Sequence, residues 1–208
     1  MSINRDALSA MMRSVADLWQ QNVVFLSEID SRFGDGDHGV TIGKVAALIQ
    51  SRVDAWDDKN IEEFLKDLGE AIMAISGGSA GPLYGTMIEG LSGPLGDCGE
   101  IDGPLLKAMF AASRDALFEL TKARQGDKTM MDALIPAVSA AEAASDDPAE
   151  ILRAASEAAE EGERATEEFV SRFGRARSYG EQTLGTRDAG AVSTSLFFQG
   201  LAKGFEAL

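Results

Sequence analysis

Ile61-Glu-Glu-Phe-Leu-Lys-Asp-Leu-Gly-Glu-Ala-Ile-Met-Ala-Ile75 sets its large apolar side chains at Ile61, Phe64, Leu65, Leu68, Ile72 and Ile75. Steps of three and four residues put all six on one stripe of a 3.6-residue helix, with acids, lysine and glycine on the other face. The same spacing recurs upstream in Leu8, Met11, Met12, Val15, Leu18 and Trp19. It recurs downstream in segments 40–55, 82–91, 105–122, 130–144, 149–173 and 191–205, so the reading predicts eight helices. Asp146-Asp-Pro-Ala-Glu150 and Asp102-Gly-Pro place a capping acid and a proline ahead of two of them. No run keeps a period of two. Val23-Val-Phe-Leu is the one strand-like string, and it continues the first helical pattern. The expectation is an all-α chain, an eight-helix antiparallel up-and-down barrel or bundle, forming a single domain over 1–208.

The chain has 208 residues, 34 acidic against 19 basic, for a formal charge of −15. Such a field repels DNA and RNA, so nucleic acid is excluded as a partner. The single cysteine, Cys98, has no partner for a disulfide within the chain, which suits a reducing compartment. There is no leader pattern and no apolar run of about 18 residues. The expectation is a cytoplasmic protein without membrane contact.

Four connections are rich in Gly, Asp, Ser or Thr: 33–39, 76–81, 125–129 and 177–190. They are the first, third, fifth and seventh connections, and in an up-and-down bundle alternate connections fall at one end. A functional site is expected there.

The first of them supplies the strongest local signal, Asp30-Ser-Arg-Phe-Gly-Asp-Gly-Asp-His-Gly-Val-Thr41. Asp30, Asp35 and Asp37 repel one another unless a cation lies between them, and hard oxygen ligands favour magnesium or calcium. From composition alone an acidic solvated turn fits as well. Gly34-x-Gly36-x-x-Gly39 matches the dinucleotide fingerprint by letters, but no strand precedes it and no βαβ unit surrounds it. A calcium loop counted from Asp35 would need glutamate at position 46, where alanine stands. What remains is a carboxylate cluster running into a helix N-terminus, whose free amides and dipole attract phosphate. Carboxylates that hold magnesium would reinforce that attraction.

Ser76-Gly-Gly-Ser-Ala-Gly-Pro-Leu-Tyr-Gly85 offers amides and hydroxyls ahead of another helix, or else a close helix crossing. Gly126-Asp-Lys-Thr-Met130 opens a helix with Thr129 as its cap. Gly174-Arg-Ala-Arg177 brings Arg175, which could pair with a phosphate, and Asp188 caps the last helix. His38, the only histidine, reads either as structural or as a neighbour of phosphate or metal. No serine or cysteine partner points to a triad.

Taken together, Gly34–Gly39, Gly77–Gly85, Gly126–Met130, Gly174–Ala176 and Asp188–Ala191, in that order, resemble the L subunit of dihydroxyacetone kinase over nearly the whole chain. The resemblance implies an eight-helix barrel binding ADP or ATP at one end. Asp30, Asp35 and Asp37 would hold two magnesium ions that bridge the phosphates. His38, Gly39 and Thr41 would lie against the phosphates, with Gly78, Ser79 and Ala80 opposite. Gly126, Thr129 and Met130 would line the adenine side, joined by Arg175 and the Asp188–Gly190 turn. The resemblance further implies a separate K subunit carrying the histidine that binds the ketose, so no catalytic side chain is expected here. The phosphoryl donor would be a phosphotransferase-system protein or ATP. L-type chains also act as nucleotide sensors that bind a transcriptional regulator, and the same loops serve both readings. The oligomeric state stays open, a homodimer included. The chain departs from the family pattern at Thr41, where asparagine is usual, at Arg177-Ser-Tyr-Gly180, and at Ala189, where proline is common.

Overall fold

A computed structural model describes residues 2–57 and 59–208. Among them nine α-helices follow in order: α1 (Arg5–Gln21), α2 (Val23–Asp30), α3 (His38–Asp54), α4 (Ile61–Met73), α5 (Ala80–Gly90), α6 (Gly103–Leu120), α7 (Met131–Ala143), α8 (Pro148–Ala165) and α9 (Ala189–Glu206). Short 3-10 turns occupy Thr166–Glu168 and Arg175–Thr183. No strand forms among the described residues, and the only extended pairing there is the isolated bridge between Ile3 and Ile101. The all-α expectation holds.

Most helices begin where the chain supplies a cap. Asn4 Oδ1 accepts from the Ala7 amide at 3.0 Å, and Asp102 Oδ1 from Leu105 at 2.9 Å. Asn60 and Glu63 exchange side-chain bonds with each other's backbone amides in a capping box. Each such cap contributes about 1 kcal/mol.

Packing runs round a ring. α1 lies on α3 and α9, α3 reaches α4 and α5, and the sequence α4–α5–α6–α7–α8–α9 closes back onto α1. At the α1–α9 seam a Cβ on Gly200 would stand 2.5 Å from Val15 Cα, so the two backbones approach as closely as glycine permits. The ring's interior is filled by buried side chains such as Trp19, Tyr84, Phe197 and Phe198. Trp19 meets Tyr84 edge-on at 5.2 Å between ring centres, and its Nε1 donates to the Ser193 carbonyl at 2.8 Å. Burying one such ring stabilises by about 2–3 kcal/mol, and the edge-on pairing adds about 1 kcal/mol. Pro136 inside α7 has no amide to offer the Asp132 carbonyl. That carbonyl instead faces Gly162 of α8, where a Cβ would overlap it.

Two expected helices differ. The first is broken at Asn22, whose Nδ2 donates to the Leu18 carbonyl at 2.8 Å and whose amide turns back to Trp19. Val23-Val-Phe-Leu therefore starts a separate helix, α2. The seventh stops at Ala165 rather than running on to Phe173. There Thr166 Oγ1 donates to the Glu163 carbonyl at 2.6 Å, while Lys128 Nζ draws the Thr166 and Phe169 carbonyls out of the helical path. Thr129 likewise stands just outside α7, which begins at Met131 with Met130 in the cap position.

Because α2 carries on in the direction of α1, with α3 antiparallel to both, and the helices alternate from α2 onward, residues 31–37, 74–79, 121–130 and 166–188 all emerge at one end. Ile3, Ile101, Trp56 and Asp146 lie at the other. There the Ile3–Ile101 bridge, the Arg5–Trp56 carbonyl bond and the Lys107–Asp146 pair at 2.7 Å join the connections to one another. Among the described residues no helix is long and apolar enough to cross a membrane.

Candidate functional site

The first end of the ring opens into a cavity of about 620 Å³, within the usual range for a small-molecule site. It has a charged part and an apolar part. Asp30, at the last turn of α2, and Asp35 and Asp37, in the turn before α3, form the charged part. Ile29, Phe33, Leu83, Leu120, Met130 and Phe173 supply apolar wall.

Each of the three aspartates offers one oxygen within 4.8 Å of the others. Burial pushes the Asp37 carboxyl up, and the charges of Asp35 and Asp30 push it further in the same direction, opposed by Arg175. Arg175 Nη2 meets Asp35 Oδ2 at 2.7 Å, so one guanidinium faces three carboxylates and leaves net negative charge. Two oxygens on one magnesium stand at most about 4.2 Å apart. A hard divalent cation therefore fits this donor set with little movement.

His38 opens α3 directly beside the acids. Its Nε2 lies 2.8 Å from Ser193 Oγ on α9, which in turn lies 2.6 Å from the Tyr84 hydroxyl on α5. Tyr84 also reaches Thr194 Oγ1 at 2.8 Å. Part of His38 is solvent-accessible, yet its ring is enclosed. Burial lowers its pKa to about 4, against the nearby Asp30 charge and a backbone bond to Ala189, so the imidazole is neutral at pH 7. This chain of hydroxyls ties three helices beneath the aspartates.

Asp188 caps α9 by accepting from the Ala191 amide at 2.8 Å, as expected. Enclosure pushes its carboxyl up to about 7. The Ala191 amide opposes that shift, Asp132 adds to it, Lys128 opposes it and Asp30 adds to it. The free carboxylate is therefore the disfavoured form in the fold. The stability contributed by its protonated form is complete below the unfolded value of 3.8 and is lost as pH rises through about 7. His38 works in the opposite direction, since its neutral form contributes stability above pH 6.5 that is lost as pH falls towards 4. Asp188→Asn keeps a capping side chain and removes the acid's term. In buffer without ligand, its melting temperature should gain on the wild type from pH 4 to about pH 7 and level off above that. Parallel melting curves across that range would show that Asp188 is solvated.

The expected site residues divide by position. Asp30, Asp35, Asp37, His38, Gly78, Ser79, Ala80, Thr129, Met130, Arg175, Asp188 and Gly190 all border the cavity, and Gly39, Thr41 and Gly126 do not. Gly39 is buried against α2, where a Cβ would overlap the Val23 carbonyl. Thr41 is 1% exposed, and its hydroxyl fills the place a Cβ on Gly77 would take. It therefore lies under the Gly77–Ser79 turn. Gly126 donates its amide to Asp132 Oδ1.

Three contributors were not expected from the sequence. Lys128 borders the cavity with a buried ammonium group. Asp132 is fully buried and accepts from the Gly126 and Thr129 amides, the latter at 2.7 Å. Ser193 joins His38 to Tyr84. Lys128 lies within Gly126–Met130, and that position is the one signal the sequence offers for it. Ser193 carries none, because its partners His38 and Tyr84 are distant in sequence, whereas Asp132 bonds locally, to amides three and six residues before it.

Comparison with known proteins adds to this geometry. The DAK2 domain family model matches residues 32–203. The chain is 35% identical over 195 residues to D-erythrulose kinase of Mycolicibacterium smegmatis, covering 91% of this chain and 33% of that protein. It is 30% identical over 205 residues to the ADP-binding subunit DhaL of the PEP-dependent dihydroxyacetone kinase of Escherichia coli, covering 97% and 98%. The crystal structure of the C. freundii dihydroxyacetone kinase in complex with AMP-PNP and Mg2+ superposes with a TM-score of 0.70 at 25% identity. That match covers 94% of this chain and 33% of the kinase. The chain thus spans a third of two of these relatives and nearly all of the DhaL subunit.

Proposed function

Because the chain belongs to the family of DAK2 domains and dihydroxyacetone kinase L subunits, we propose that its cavity holds a magnesium-bound adenine nucleotide. In this reading the bound nucleotide serves phosphoryl transfer to a small ketose carried by a separate K-type subunit. One observation carries it: the three-aspartate cluster and the N-terminal turns of α3 and α5 border a single cavity that also has an apolar wall. Carboxylates for a metal, amides for phosphate and an apolar slot for a base are the three parts such a ligand needs. The helical ring supports treating 1–208 as one nucleotide-binding unit.

Asp30, Asp35 and Asp37 would hold the metal, and two ions would match the charge. When bound, magnesium neutralises phosphate oxygens and the charge developing on the transferred group. The chain's own residues would do the rest. Gly78, Ser79 and Ala80 present the first amides of α5 to phosphate, and Thr41 supports that turn from below. Arg175 adds a cation from the opposite wall. Thr129 and Met130 border the apolar slot on the α7 side, and the Asp188–Gly190 turn closes the wall beside them. His38 has Nε2 engaged with Ser193, so activation of the acceptor hydroxyl falls to the partner subunit. The phosphoryl donor is either ATP in exchange or a phosphotransferase-system protein that recharges a retained ADP.

Mass spectrometry of the nucleotide released on denaturation, with calorimetric titration of ADP and ATP with and without magnesium, tests this. We expect retained or micromolar adenine nucleotide, with affinity falling roughly tenfold or more in EDTA, at least about 1.4 kcal/mol. Absence of adenine-nucleotide binding with magnesium present would refute the proposal.

A further inference from the structure

Lys128 is the one non-glycine residue with a left-handed φ among the described residues, at 60°, and it is 4% exposed. Its Nζ donates to four backbone carbonyls. Thr166 and Phe169, just after α8, accept at 2.7 and 3.1 Å. Thr183 and Thr186, just before α9, accept at 2.7 and 2.6 Å. An ammonium carries three protons, so all are committed and one is shared. None remains for a phosphate, although the residue borders the cavity.

The four acceptors form two pairs, taken from the two ends of the irregular segment 166–187. Further bonds run between those ends: the Gly185 amide to the Glu167 carbonyl at 2.8 Å, Ser171 to Thr183 Oγ1 at 3.0 Å, and Asp188 to Thr166 Oγ1 at 3.0 Å. The segment's middle reaches across the cavity mouth. Arg175 pairs with Asp35 there, and Tyr179 lies 5.2 Å from Phe33 between ring centres. Lys128 is itself held, because Asp132 on α7 accepts the amides of Gly126 and Thr129 on either side of it. A left-handed backbone at a lysine persists only where its surroundings over-determine it. Carbonyls past a helix end lack backbone partners, and here one buried cation gathers those of two separate chain ends.

We propose that Lys128 is a positioning residue for the nucleotide site: it clamps the two ends of segment 166–187 together and onto the α6–α7 connection. In doing so it holds Arg175 and the Asp188–Gly190 turn at the cavity wall without touching the ligand. This rests on the nucleotide reading given above.

The test is Lys128→Met, which keeps the stem and removes the ammonium, with Lys128→Gln as a milder variant that retains two donors. Hydrogen exchange should accelerate at least tenfold for amides within 169–186, while α1 and α9 keep wild-type protection. Under conditions where both proteins are fully folded, the Kd for ADP with magnesium should rise at least tenfold. Binding of Mn2+ alone, a probe of the aspartate cluster, should be undiminished. Aminoethylation of Lys128→Cys in a Cys98→Ser background, carried out unfolded before refolding, should restore ADP affinity by returning an amine at the same reach. Wild-type exchange in 169–186, or unchanged ADP affinity despite faster exchange, overturns the proposal. If the wild type itself binds no ADP, the nucleotide reading fails instead, and the exchange pattern alone decides whether Lys128 holds the segment.

Discussion

Replacing Asp35 and Asp37 together by asparagine should abolish magnesium-dependent nucleotide binding and leave the barrel intact, with a melting temperature in metal-free buffer no lower than that of the wild type. The two halves of this expectation have one cause. Three carboxylates offer oxygens within 4.8 Å of one another, and a like-charge pair at that distance costs about 1 kcal/mol under water-like screening. The lost Arg175–Asp35 pair, at an exposed site, offsets at most about 1 kcal/mol. The folded chain therefore tolerates the change, whereas the metal loses two of its three anionic ligands. We expect nucleotide affinity with magnesium to fall by about a thousandfold or more, roughly 4 kcal/mol, by isothermal calorimetry. Unchanged affinity would remove these aspartates from the site.

Gly39→Ala should be among the most destabilising single changes in the chain, although it adds one methyl group. A Cβ there would overlap the Val23 carbonyl and stand 2.7 Å from the Ser27 amide nitrogen. Both are α2 backbone and cannot turn aside, so α2 has to move away from α3. Overpacking of this kind costs about 3 kcal/mol, or roughly 6–12 °C in melting temperature for a chain of this size. Since α2 ends in Asp30 and α3 follows Asp37, metal affinity should fall with it. Gly43, one turn further along α3, is the control. Its Cβ would lie 3.0 Å from the Val23 Cγ2 methyl rather than from backbone, and alanine gains about 1 kcal/mol of helix propensity. Thermal melts should show Gly43→Ala near the wild type and Gly39→Ala far below it. Equal melts would mean that the two helices are less tightly apposed than described.

The Gly39 case marks where sequence reading was sufficient and where it was not. Helix stripes such as Ile61 to Ile75 and caps such as Asp102 or Asp188 are local patterns, and their helices begin as the spacing predicts. The gathering of four polar connections at one end also follows from counting helices. The resemblance puts Gly39 and Thr41 against phosphate; what the sequence does not disclose is that Gly39 also packs across α2 and Thr41 lies under Gly77. The break at Asn22 and the early end of α8 depend on where a side chain finds a carbonyl. For α8 that side chain is Lys128, distant in sequence from Thr166 and farther still from Thr186. Apolar periodicity carries no trace of such a bond.

The alternation of helix direction has a consequence for assembly by gene fusion. α1 starts and α9 finishes at the end where Ile3 pairs with Ile101, away from the cavity mouth. A second module joined in frame at either terminus would leave that mouth clear, and its tether would not cross the opening. Proteins in which a domain of this kind makes up a third of a longer polypeptide, as in the M. smegmatis and C. freundii kinases, are compatible with that geometry. The same plan serves equally as a free-standing chain the length of the E. coli subunit.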